Sequence, residues 1–398
     1  MHSDSHPEWS RVRPCDAHMH LYSGKTFAHN LQAVRGYMRW FDVERAALLA
    51  LPEHSGKHGR DEASNLRCLG VKAALNAEDP SRPVYALAGL VPRLGPGPDT
   101  PETFAEQARR ALDMGFDGFK SLLGKPGLRK WDGTALDDPV FDAFYSVLEE
   151  SGRPLVMHVG DPANFWDLEN PPPCAAKNGW LYDGTFAPLP QLRAEAEGVL
   201  KKHPALRVTF AHVFFLGEEP DEAERLLSAY PNLGLDLAPG WEMHIGFTKH
   251  HDRWHNLFER FRDRFYFATD AANWHASSDL STYDKNFRWM FDMPRSLLES
   301  DAPFQTVCDD VRYDFRGLGA SPETREAVLR GNFLRRFGAA PAPVDRDAAL
   351  EDVRALLARY EAGPPPCTGP DTAAATLPVL RRWASSSEAL FAPEPYTD

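Results

Sequence analysis

Short apolar runs alternate with longer amphipathic segments along this 398-residue chain. Eight of the runs read as strands: Arg13–Leu21, Arg45–Leu51, Val84–Val91, Phe116–Leu122, Pro154–Val159, Arg207–Phe214, Leu233–Leu237 and Phe265–Asp270. Near-continuous apolar strands are what a parallel sheet buried on both faces requires. Between them, helical spacing predicts helices at Phe27–Phe41, Glu62–Ala77, Pro101–Met114, Pro139–Ser151, Leu189–Lys202, Asp221–Tyr230 and Trp254–Asp263. Thr100 reads as an N-cap, Pro101 as the first helical residue and Gly115 as a C-cap. The second unit is ambiguous, because its strand also fits a helix segment. A repeated βα order with eight strands predicts an α/β fold, a (β/α)8 TIM barrel.

Several βα loops are long. The one from Gly160 to about Pro188 carries Phe165, Trp166, Trp180, Tyr182 and Phe186, an aromatic content that argues for an ordered lid. Beyond the eighth strand, Ser321–Phe337 predicts a helix. Asp347–Glu361 predicts another, and Gly363-Pro364-Pro365-Pro366 a break after it. The chain thus divides into a barrel catalytic domain, residues 1–338, and a partly helical C-terminal extension, residues 339–398.

Composition narrows the setting. Hydrophobic residues make up 43% and charged residues 25%, a balance that buries a core without disulfide staples. A net charge of −13 disfavours nucleic acid as a partner. The polar start of the chain predicts no signal peptide, and no run approaches the ~18 apolar residues of a membrane span. Five cysteines without a C-x-x-C pair suit a reducing, cytoplasmic setting. The expected partner is a small-molecule substrate, not nucleic acid or a membrane. Apolar residues in the tail could serve a homodimer contact.

The candidate chemistry sits at strand ends. Asp16-Ala17-His18-Met19-His20 closes the first strand, and residues two apart point to the same side. His18 and His20 would aim together into the barrel mouth, where two imidazoles can chelate one divalent cation. His158 ends the fifth strand, His212 lies in the sixth and Asp270 closes the eighth. Four imidazoles and a carboxylate converging in a buried space would be costly without a metal or a proton network.

This arrangement resembles the amidohydrolase superfamily, in its amidohydrolase-2 branch of metal-dependent hydrolases and non-oxidative decarboxylases. The resemblance runs from about Arg13 to Gly338. It includes Lys202-His203-Pro204 through Ala211-His212, Arg264 through Asp270, and Val328 through Gly338. It implies that His18, His20, His158 and Asp270 bind one divalent metal, usually Zn2+, with an open position for a water whose pKa falls toward ~7. His212 would act as general base or electrophilic hydrogen-bond donor, and Asp270 would also shuttle the proton. Mn2+ and a binuclear site are the alternatives. A binuclear site would use Lys120 on the fourth strand as a carboxylated bridge. Unmodified, Lys120 is a rim lysine suited to an anionic substrate group.

Other residues near the mouth are weaker candidates. Trp241, Glu242 and His244 follow the seventh strand, and packing explains them equally well. Asn273, Trp274 and His275 follow Asp270. Arg93 could hold a substrate carboxylate, His54 could reach the mouth, and His58 and Lys249-His250-His251-Asp252 read as solvated.

The function expected is a metal-dependent hydrolase that cleaves an amide, lactam, lactone or ester bond in a small molecule. The alternative on the same site is a non-oxidative decarboxylase or hydratase of a carboxylic acid, and the aromatic lid suits a ring-containing or apolar substrate. A non-catalytic barrel scaffold is the remote alternative, since a scaffold needs none of those five residues.

Overall fold

A computed structural model describes residues 9–22, 25–52, 61–92, 98–273, 276, 281–308, 311–363, 370–386 and 389–391. Its central sheet comprises β1 (Cys15–His20), β2 (Arg45–Leu49), β3 (Val84–Gly89), β4 (Gly118–Gly124), β5 (Leu155–Val159), β6 (Val208–Phe210), β7 (Leu233–Asp236), β8 (Phe265–Tyr266) and β9 (Ala271–Ala272). All neighbours are parallel, in the order β8-β7-β6-β5-β4-β3-β2-β1-β9. β8 and β9 are two parts of one interrupted strand. Between them, Phe267 accepts a backbone hydrogen bond from Ala17 at 3.0 Å, and Met19 then pairs with Ala271. The sheet therefore closes on itself as a TIM barrel, and the ambiguous second unit is a strand.

Two predicted strands stop far short of their apolar runs. The sixth stops at Phe210, and the eighth is interrupted before Asp270. In both places the backbone turns left-handed: φ is +55° at His212 and +55° at Asp270. Apolar patterning carries no signal for such a turn.

Alternation sorts the strand side chains. Ala46, Leu48, Ala86, Ala88, Phe119, Met157, Phe210 and Leu235 pack outward into the large helix-facing core. Ala47, Leu49, Tyr85, Leu87 and Val156 form a separate inner core with Tyr266, Phe333 and Phe337. In β1 the alternation slips. Cys15 and Ala17 belong to the inner core, yet Met19 belongs to the outer one. The pairing of β1 with β2 shifts between Asp16 and Met19, the place where a bulge re-aims side chains.

The helix Pro101–Asp113 shows why these segments form where they do. Thr100 and Thr103 make a reciprocal capping box, Pro101 opens the helix, and Phe104, Ala105, Ala108 and Ala111 form its buried face. The C-terminal helix Arg346–Ala362 buries Ala349, Val353, Leu356 and Tyr360 in the same outer core, and Arg110 pairs with Asp352 at 2.8 Å. Gly115, with φ +97°, lets the chain pass: a Cβ there would lie 2.2 Å from the Pro343 carbonyl oxygen. Helices Trp241–Lys249, Ser281–Glu299 and Pro370–Ser385 and the antiparallel hairpin Pro303–Cys308/Val311–Arg316 add to the predicted elements. Among the described residues no helix is long and apolar enough to cross a membrane.

Candidate metal centre

His18 and His20 leave β1 on the inner side, beside Asp270. The ligand atoms of these three residues lie within 4.8 Å of one another. His20 Nε2 is 3.2 Å from Asp270 Oδ1, and His18 Nε2 is 3.6 Å from it. Each imidazole is held from behind. His18 Nδ1 donates to Asp236 Oδ2 at 2.9 Å, and His20 Nδ1 donates to the Leu49 carbonyl at 2.8 Å. A carbonyl and a carboxylate only accept, so both Nδ1 atoms carry the proton and both Nε2 atoms carry lone pairs.

Those two Nε2 atoms face each other across 2.9 Å. Lone pairs at that distance, with a carboxylate oxygen alongside, repel, and the Lys120 ammonium 3.3 Å from His18 Nε2 offsets this from one side. Nitrogen ligands about 2.0–2.1 Å from a shared ion stand roughly 3 Å apart, so the spacing fits a divalent metal. The residues present therefore fit the group.

The other predicted residues occupy distinct places. His158 projects inward from β5, and its Nε2 is engaged with the Gly160 carbonyl at 3.0 Å and Asp161 Oδ1 at 3.2 Å. This leaves Nδ1 as its acceptor nitrogen, and His158 is not among the three residues whose ligand atoms cluster. Its ring lies 5.0 Å from that of His212, which lies 5.5 Å from that of His18. Lys120 is no rim residue. It is buried to 1% exposure inside the barrel, with Nζ 3.3 Å from His18 Nε2.

His212 opens a left-handed turn, with φ between +51° and +58° at His212, Val213, Phe214 and Phe215. Non-glycine residues resist this conformation by roughly 1–2 kcal/mol each, so neighbouring contacts must hold it. Asp236 Oδ1 accepts from the His212 backbone N–H at 2.9 Å, and Phe214 stacks on Phe210 at 4.3 Å. The His212 Nδ1 faces the Ala238 carbonyl at 3.2 Å, which again leaves Nε2 unprotonated.

Burial keeps the His18, His158 and His212 imidazoles neutral. It lowers His18 to about 3, with Lys120 adding to the effect, and His158 and His212 to about 4. Burial opposes the charge of Asp270, yet its setting beside His20, His18 and His212 holds the carboxyl well below the usual range. Burial likewise opposes Asp236, and His18 overcomes it, holding that carboxyl at about 2.

Two acids that the sequence reading did not single out carry the frame. Asp236 is one. The other is Asp16, which accepts from the backbone N–H of His18 (3.0 Å) and Thr269 (3.2 Å) and from the hydroxyls of Tyr37 (2.8 Å) and Thr269 (2.6 Å). It thereby fixes the segment that delivers Asp270. Burial raises Asp16 to about 7. Their signal was present: each is a lone acid in an apolar strand.

The lid packs Phe165, Cys174, Ala175 and Tyr182 into a small core, with Trp166, Leu181 and Phe186 against it. The Tyr182 hydroxyl donates to Asp161, which also receives Lys125 Nζ at 2.9 Å and faces His158. Burial, then Asp161, raises Glu242 to about 7, and its Oε2 is enclosed without a hydrogen-bond partner. His244 sits among Phe247, Phe304 and Phe315, its Nδ1 unpartnered and its pKa lowered by burial to about 3. Asn273 bonds Tyr22 and Asn30 and serves the frame. Arg93, His54, His58, Trp274 and His275 and the Trp241 side chain lie outside the described residues.

The amidohydrolase family model (Amidohydro_2) matches residues 15–339. The chain belongs to the amidohydrolase-2 family. It is an enzyme of the amidohydrolase superfamily, and this family is metal-dependent. Solved structures are similar to the chain at low identity. A TIM-barrel protein from Bordetella bronchiseptica is 15% identical, with 82% of this chain and 98% of that one covered, at a TM-score of 0.50. IDCase of Metarhizium anisopliae is 14% identical over 82% and 97%, at 0.48. The 2,6-dihydroxybenzoate decarboxylase from Rhizobium is 17% identical over 81% and 98%, at 0.45. No curated protein matches the chain by sequence.

Proposed function

We propose that this amidohydrolase hydrolyses an amide, lactam, lactone or ester bond in a small molecule. His18, His20, His158 and Asp270 would hold one divalent metal, with Zn2+ as the first choice. The metal, when bound, supplies a Lewis acid and lowers the pKa of a coordinated water. The observation that carries the reading is His212. Its Nδ1 is committed to Ala238, so Nε2 is a neutral acceptor beside the centre. His212 Nε2 takes one proton of the attacking water, and the Asp270 carboxylate takes that water's second proton after attack and passes it to the leaving group. Lys120 orients the substrate's oxygen atoms through its buried charge, and the aromatic lid excludes bulk water.

Lys120 also favours a second reading. An ammonium beside the metal ligands suits a substrate carboxylate, as a non-oxidative decarboxylase or hydratase of a carboxylic acid requires. The experiment is a screen of metal-loaded protein against lactones, amides, esters and carboxylated aromatics, with product mass and carbon dioxide both recorded. Gain of water across a cleaved bond supports hydrolysis. Carbon dioxide release without gain of water rejects it in favour of decarboxylation.

A further inference from the structure

Asp236 serves two clients with one carboxylate. Oδ2 accepts from His18 Nδ1 at 2.9 Å. Oδ1 accepts from the backbone N–H of His212 at 2.9 Å and of Ala238 at 3.1 Å. The side chain is 1% exposed, so water cannot stand in for either oxygen. The first contact fixes the tautomer of a metal ligand. The second holds the start of the left-handed turn that presents His212.

We propose that Asp236 is a positioning residue that sets His18 as a lone-pair donor toward the centre and places His212 beside it. The inference rests on the metal-dependent reading of the site. Its core is an asymmetry between the clients. The two backbone N–H groups can only donate, so Oδ1 must remain an acceptor. The His18 ring can exchange its tautomer.

Asp236→Asn exploits this. The amide oxygen stays with the backbone pair, and the amide NH2 faces His18 Nδ1. That nitrogen must then accept, and the ring proton moves to Nε2. There it meets His20 Nε2 at 2.9 Å and makes a hydrogen bond that the native chain lacks, in exchange for the 3.3 Å contact that the native Nε2 accepts from Lys120 Nζ. The variant therefore keeps its metal-free fold and binds metal more weakly.

The test uses the full chain with Zn2+ and Mn2+ as probes. Metal affinity is measured by competition with a chelating dye, and Tm is measured in excess chelator. The expected result is an affinity loss of about 10–100-fold for Asp236→Asn, with its metal-free Tm equal to or above that of the native chain. Unchanged affinity overturns the proposal. So does a fall of metal-free Tm that accompanies the affinity loss, because an ordinary structural role predicts that pattern. Nitrogen NMR of His18 in the native, metal-free protein supplies an independent readout should the variant not fold. A proton on Nδ1 supports the proposal, and a proton on Nε2 overturns it. Native protein that binds neither metal would defeat the functional reading, while the tautomer measurement would still judge Asp236.

Discussion

His18 and His20 point their Nε2 atoms at each other across 2.9 Å while both Nδ1 atoms are bonded elsewhere. Neither nitrogen facing the gap has a proton to share. The strand, its bulge and the acceptors behind it all hold this contact, which a divalent cation relieves.

His158 and His212 should separate under mutation although their rings lie 5.0 Å apart. His158→Ala removes a ligand and should abolish stoichiometric metal. His212→Asn should retain the metal and lose turnover by roughly 10²–10⁴-fold, the usual contribution of a general base. Metal analysis beside steady-state rates checks both. Equal metal loss in the two variants would point to a binuclear arrangement.

Acid should destabilise the metal-free protein. His18, His158, His212 and His244 are lowered to about 3–4, so the unfolded chain takes up protons below pH 6.5 that the folded chain refuses. Their stabilisation is complete above pH 6.5 and is lost as pH falls toward 4. Asp16 and Glu242, raised to about 7, act in the opposite sense, since the folded state holds their protons. Four groups outweigh two. Tm in chelator should fall between pH 6.5 and 5, and calorimetry across that range checks it.

The barrel was legible because its strands are apolar runs with helical spacing between them, and the centre was legible because ligand types ended those runs. What escaped the reading depends on backbone shape and on distant pairing. The left-handed residues at His212 and Asp270 end strands without any change in hydrophobicity. Lys120 looked like a rim residue because a pattern does not show that its side chain turns inward toward His18. Asp16 and Asp236 stood in plain view as acids within apolar strands, yet their partners are up to 253 positions away.

Asp16→Ala tests the frame independently of the metal. It would take their acceptor from the backbone N–H groups of His18 and Thr269 and from the Thr269 hydroxyl, and leave the Tyr37 hydroxyl only Thr269 Oγ1 at 3.4 Å. At about 1–3 kcal/mol for each unmet group, the loss should be on the order of 3 kcal/mol. Denaturant unfolding in chelator measures it.

Leu356→Ala tests the seat of the C-terminal helix. Leu356 is buried in the outer core beside Val353 and Tyr360. Truncation should cost about 2–5 kcal/mol, whereas a helix that merely rests on the barrel would lose far less. The same unfolding experiment decides between them.

The most direct measurement is the metal content of the purified chain, by elemental analysis before and after chelation. The account predicts about one divalent ion per chain, removed together with activity and restored with it. A chain that purifies without stoichiometric metal, and whose Tm and activity no chelator changes, would contradict it.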